Sequence, residues 1–151
     1  MSNVSLELLK KLRKDSDAGV SDCRQALMDA DGDYEKAKKL LIERGLEKAA
    51  KKEGKETAEG IIESYVHSNG RVGVLVELRC ETDFVARTDE FKKLAHELTL
   101  QIAATNPKNT EELLKTAYIR DGSIIIEAFI KSVIAKLGEN ITVGKFSRIS
   151  L

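Results

Sequence analysis

The sequence predicts an α+β fold: a three-helix bundle, a charged helical linker, then a three-stranded antiparallel sheet covered by helices. Three observations carry this. Apolar residues recur at helical spacing over residues 1–45, the period changes to two from Ile61, and two more helical stripes flank or follow the extended runs. The 151 residues suffice for one ordinary domain or two very small ones. Apolar residues make up 42% and charged residues 33%, the balance of a globular chain.

Residues 1–45 read as three short helices. Val4, Leu8, Leu9 and Leu12 form the first stripe, which Asp17-Ala18-Gly19 breaks. Cys23, Ala26, Leu27 and Ala30 share one helical face. Asp31-Gly32 marks a turn, and Asp33 is a candidate N-cap, because its carboxylate can accept the free N–H groups of a first turn. Tyr34, Ala37, Leu40 and Leu41 form the third stripe, and Gly45 fits the left-handed position that ends a helix. Three such helices make a bundle of the ubiquitin-associated type. Residues 46–57, with Lys48, Lys51, Lys52 and Lys55 among Glu47 and Glu53, read as an exposed helical linker.

Residues 58–151 read as the α+β core domain. Asn69-Gly70 between two extended runs signals a hairpin. Val72, Val74, Val76, Leu78 and Cys80 then point one way, and that face must be covered. Two helices can do so. One carries Phe91, Leu94, Ala95, Leu98 and Ile102, opens at Thr88 and ends at Asn106-Pro107; the other carries Ile126, Phe129, Ile130, Val133, Ile134 and Leu137 and stops at Gly138. Residues 141–151 form a last strand, whose alternation slips near Gly144 as a bulge would make it.

Several functions are disfavoured. Lys+Arg and Asp+Glu both total 25, so the basic excess of a nucleic-acid binder is missing. Without Trp and with few aromatics, a base-stacking platform has little to work with. Cys23 and Cys80 each sit in an apolar pattern and read as buried free thiols, while His67 and His96 lack ligand spacing, so no metal site is expected. Met1 to Lys14 alternates Leu with charge, unlike a signal peptide, and no apolar run reaches the ~20 residues that span a bilayer. A cytoplasmic location is expected. No nucleophile–base pair or Gly-rich phosphate loop points to an enzyme.

The most informative stretch is Cys80-Glu81-Thr82-Asp83-Phe84-Val85-Ala86-Arg87. An acid and a phenylalanine stand side by side between an apolar strand and a helix, where functional side chains tend to sit. Two readings exist for each: Phe84 as a wedge into another protein or as an aromatic capping the sheet, Asp83 as a contact or as a turn and cap residue.

The chain resembles bacterial elongation factor Ts over nearly its whole length. The resemblance lies in Leu12 to Val20 with Asp22 to Leu27, in Glu77 to Arg87, and in Lys136-Leu137-Gly138-Glu139-Asn140-Ile141. Ser16, Arg24 and Arg79 stand where family members usually have Thr, Lys and Asn. The chain looks like a short form, without the second core subdomain and coiled coil of longer relatives. The resemblance implies guanine nucleotide exchange on elongation factor Tu, in its GDP-bound and nucleotide-free forms. It implies partner contacts by Thr82, Asp83, Phe84 and Val85, which would release nucleotide, and by Val20 and Arg24 of the helical bundle. No cofactor, direct nucleic-acid contact or membrane is implied. Two assemblies are open: a monomer, or a homodimer joined through open sheet edges. The alternative function is a non-catalytic, ubiquitin-associated-like protein-binding module, which would leave Thr82 to Val85 unexplained.

Overall fold

In the computed structural model, which describes residues 4–151, the chain divides into two compact units, residues 1–51 and 52–151. Residues 1–3 lie outside the described residues, and part of the signal-peptide reading of Met1 to Lys14 falls there.

The first unit contains α1 (Leu6–Ser16), α2 (Val20–Asp29) and most of α3 (Tyr34–Lys52). Asp17 adopts the left-handed conformation that closes α1, and Asp31 and Gly32 do the same in the next turn. Asp33 Oδ1 accepts from Lys36 N at 3.0 Å, the cap expected at that position. Leu12, Cys23, Ala26, Leu27, Ala30 and Ala37 form the buried core, with Val4, Leu8, Leu9, Leu40 and Leu41 packed at its edge.

One boundary differs from expectation. Gly45 does not stop the third helix; α3 runs through it to Lys52, so residues 46–52 continue α3 rather than forming a separate linker helix. A helix interior tolerates glycine at a cost of about 1 kcal/mol, and Ala49, buried on the continuing face, favours extension. The stop falls at Gly54, whose φ of 84° is the left-handed conformation that glycine adopts without a Cβ clash.

The second unit is built on β1 (Glu59–Val66), β2 (Val72–Cys80) and β5 (Ile141–Ser150), antiparallel in the order β1-β2-β5. Gly70 turns the β1–β2 hairpin, donating to the His67 carbonyl at 2.7 Å. Val74, Val76, Leu78 and Cys80 are buried on one face beneath α5 (Asp89–Thr105), which contributes Phe91, Leu94, Ala95, Leu98 and Ile102 to the core. The register of β2 and β5 shifts between Val76 and Leu78, opposite Gly144. On the other sheet face Ile62, Val66, Leu75 and Ile149 remain exposed.

Between α5 and α7 (Ile126–Leu137) the chain forms elements the sequence did not announce: α6 (Thr110–Lys115) and a hairpin of β3 (Ala117–Tyr118) and β4 (Asp121–Ile125). Buried polar groups tie this hairpin to α5. Gln101 Nε2 donates to the Ala117 carbonyl at 2.8 Å and its Oε1 accepts from Ile119 N at 3.0 Å. Glu97 accepts from Tyr118 Oη at 3.0 Å and Arg120 Nε at 2.6 Å. Burial and the Glu97 carboxylate push the Tyr118 phenol up to about 12. Both cysteines are free and buried, as expected. Among the described residues, no helix is long and apolar enough to cross a membrane.

Candidate functional site

The segment joining β2 to α5 makes one extra helical turn, α4 (Asp83–Ala86). Two threonines frame it. Thr82 keeps an extended backbone, and its Oγ1 accepts from Val85 N at 3.3 Å. Thr88 caps the following helix: its Oγ1 accepts from Phe91 N at 3.3 Å and donates to the Val85 carbonyl at 2.8 Å. Each cap satisfies a backbone donor that a helix start leaves without an internal partner.

A single turn sorts its residues by face. Val85 and Ala86 are buried, while Asp83, Phe84 and Arg87 point outward. Phe84 is 79% exposed. The sheet-capping alternative for this ring therefore fails: Val85 takes the inward position. The Asp83 carboxylate accepts from Arg87 Nη2 at 2.8 Å, one turn on, and does not cap the helix, a role held by Thr82. That ion pair is open to water on both sides, so it orients Asp83 more than it stabilises the fold.

Polar contacts anchor the base of this tip to distant parts of the unit. Glu139, just beyond the left-handed Gly138 that ends α7, reaches Thr82 with both carboxylate oxygens. Glu81 Oε1 accepts from Asn140 N at 2.8 Å, and Asn140 Nδ2 donates to the Lys55 carbonyl at 2.8 Å. The Cys80 thiol is buried and donates to the Thr82 carbonyl at 3.1 Å. Burial first, and the nearby Glu139 carboxylate second, push this thiol up to about 11, so it stays neutral at ordinary pH. Sequence reasoning did not single out Glu81 or assign a role to Glu139. Only a spacing of 57 residues, invisible as a pattern, brings Glu139 to Thr82.

Arg79, which stands where the resemblance would place Asn, projects from the outer sheet face and pairs with Glu77 on its own strand. Val20 and Arg24 lie in the other unit, four residues apart and exposed on α2, away from the buried Cys23, Ala26 and Leu27. Thr82, Asp83, Phe84 and Val85 are thus brought together on one turn, with Val85 serving as its buried base rather than as a surface residue.

The family model described as "Elongation factor TS" matches residues 81–151, from the start of the tip to the last strand. The chain is 39% identical to Elongation factor Ts of Oleidesulfovibrio alaskensis, with 100% of this chain and 99% of that protein covered. It is 39% identical to Elongation factor Ts of Fervidobacterium nodosum, covering 98% of each, and 40% identical to that of Thermotoga neapolitana, covering 96% of this chain and 95% of the relative. The first alignment runs over 196 positions against 151 residues here, so the difference in length falls inside the alignment rather than at its ends.

Proposed function

The chain belongs to the elongation factor Ts family, and from that premise we propose that it promotes release of GDP from elongation factor Tu during translation elongation. The protein does no covalent chemistry in this role and needs no cofactor of its own. It acts in the cytoplasm by binding the nucleotide-free GTPase more tightly than the GDP-bound form. By linkage, the factor gained for one form equals the factor by which GDP affinity falls in the complex. A 10⁴-fold fall requires differential binding of about 5.5 kcal/mol.

The observation that carries this reading is Phe84, an aromatic ring held 79% exposed on a turn whose opposite side is buried. A solvated ring gains about 1.5–3 kcal/mol when a partner buries it, and the free protein does not use that energy. Phe84 would enter an apolar pocket between helices of the GTPase, while Asp83, leaving Arg87, would hydrogen-bond at its rim. Insertion there disturbs the magnesium ion and phosphate-binding loop that retain GDP. Val20 and Arg24 supply a second contact from the helical unit. A module that bound only through its helical bundle would leave the exposed ring without a purpose.

The deciding experiment is GDP release from purified elongation factor Tu, with wild-type protein and Phe84→Ala compared. Removing an aromatic anchor should slow stimulated release about 30-fold or more, with an unchanged melting curve because the ring packs against little in the free protein. Equal release by both proteins would remove the wedge role.

The proposal extends to self-association. Among the described residues, strands β1 and β5 each leave one edge unpaired, and Ile62, Val66, Leu75 and Ile149 expose apolar surface on the adjoining face. A second copy joined edge to edge about a twofold axis would pair one of these edges. Sedimentation equilibrium at micromolar concentration should return a dimer; a monomer that still drives full exchange would end this part of the reading.

A further inference from the structure

A four-residue turn has little stability of its own, because nucleating a helix fixes several residues for one hydrogen bond. Something outside α4 must hold it. Buried Val85 and Ala86 and the Thr88 hydroxyl hold its far side; the contacts at Thr82 hold its start, and they form a reciprocal pair. Glu139 Oε1 accepts from Thr82 N at 3.0 Å and its Oε2 from Thr82 Oγ1 at 2.7 Å. In return, Glu81 Oε1 accepts from Asn140 N at 2.8 Å. Each loop thus feeds a backbone N–H into the carboxylate of the other.

The chemistry of the hydroxyl gives this arrangement a direction. Thr82 Oγ1 has one proton and two lone pairs. An ionised carboxylate can only accept, so the proton points at Glu139. The lone pairs are then left for Val85 N, the first-turn donor that Thr82 caps at 3.3 Å. Glu139 therefore orients the very cap on which Asp83 and Phe84 are carried. Charged hydrogen bonds of this kind are shorter and stronger than neutral ones.

We propose that Glu139 is a positioning residue for the Asp83–Phe84 tip, with Glu81 as its reciprocal partner, and that together they present Phe84 in its binding conformation before the partner arrives. The functional half of this inference rests on the exchange reading above. If only a fraction of the free molecules holds the tip ready, the apparent dissociation constant rises by the inverse of that fraction. Glu139 acts by keeping that fraction near one.

Two arms test it on the full chain, with Glu139→Ala and Glu139→Gln. The first needs no partner: amide hydrogen exchange of Thr82 and Val85. In Glu139→Ala both amides should exchange about 10-fold faster or more, while amides within β2 and α5 keep their wild-type protection. Glu139→Gln, which retains one acceptor oxygen, should fall between. The second arm is a titration of GDP release. Glu139→Ala should raise the half-saturating concentration about 10-fold and leave the saturating rate unchanged, again with partial recovery in the Gln variant. In a Phe84→Ala background most of this penalty should vanish, because the ring is gone and only the smaller Asp83 contact is left to position.

Unchanged protection at Thr82 and Val85 would overturn the clamp. Faster exchange without a shift in half-saturation would overturn its role in presenting Phe84, as would a penalty that persists undiminished in the Phe84→Ala background. If the wild-type protein released no GDP, the exchange reading would fall by itself, and the amide arm would still decide whether Glu139 holds the turn.

Discussion

The helical unit and the sheet unit hold themselves together by different means. The helical core is six apolar side chains, and the ion pairs Lys48–Asp22 and Arg44–Asp29 of this unit lie at the surface. The sheet unit buries polar groups as well: Glu97, Thr99, Gln101 and Asn140. Their bonds reach far along the chain, from Asn140 to Lys55 and from Gln101 to Thr116. Local apolar burial suffices to build a bundle. Fixing loops such as 81–88 in one conformation takes satisfied polar networks, which penalise every arrangement that leaves a member unpaired.

Core truncations give the largest expected effects and test whether the units are separate. Phe91→Ala should destabilise residues 52–151 by about 3–5 kcal/mol, and Leu27→Ala should destabilise residues 1–51 by about 2–5 kcal/mol. Both side chains are fully buried. Hydrogen exchange resolved by residue should show each loss confined to its own unit; a loss shared by both would mean that they fold as one.

Removing residues 1–51 cuts at the observed division rather than at Gly45. The remainder should fold and bind elongation factor Tu about 5-fold more weakly or worse, through loss of the Val20 and Arg24 surface. Calorimetric titration of the truncated protein checks this. Undiminished affinity would assign all of the binding to the sheet unit.

Asp83→Ala should cost about 0.5–1.5 kcal/mol in stimulated GDP release, less than Phe84→Ala. A larger loss from Asp83 than from Phe84, at equal folding, would make charge rather than insertion the source of the effect.

A further effect is one of pH. Cys80 is raised from 9.0 to about 11 chiefly by burial, and Tyr118 from 10.0 to about 12 by burial and its bond to Glu97. In both, the folded state keeps a proton that the unfolded chain releases sooner. Their contribution is therefore complete below pH 9 and is lost as pH rises, first through 11 for the thiol and then through 12 for the phenol. Urea melts at pH 8, 9.5 and 11 should show the sheet unit weakening with alkalinity, and Cys80→Ala should flatten the earlier part of the decline. A flat profile in the wild-type protein would contradict the assignment to Cys80.

Much of the fold was legible because its signals are local. The stripes of Cys23 to Ala30 and Phe91 to Ile102, the alternation of Val74 to Cys80, and the caps at Asp33 and Thr88 all depend on residues within a few positions of each other. The end of α3 was misread because glycine permits a stop without enforcing one. The hairpin of β3 and β4 was missed because its strands are short and its anchors, Glu97 and Gln101, lie in a helix that precedes it.

By itself, the sequence determined the α+β class, the main elements and the chemical character of the tip, since periodicity, turn residues and the Asp83–Phe84 pair are properties of neighbours. It did not determine which way that tip faces. Tertiary structure decided that Val85 turns inward, that Phe84 remains in water, and that Glu139 meets Thr82. The reason is physical. A single helical turn has no preferred face until something packs against it, and the carboxylate that fixes its cap arrives only after the chain has crossed α5, the second hairpin and α7.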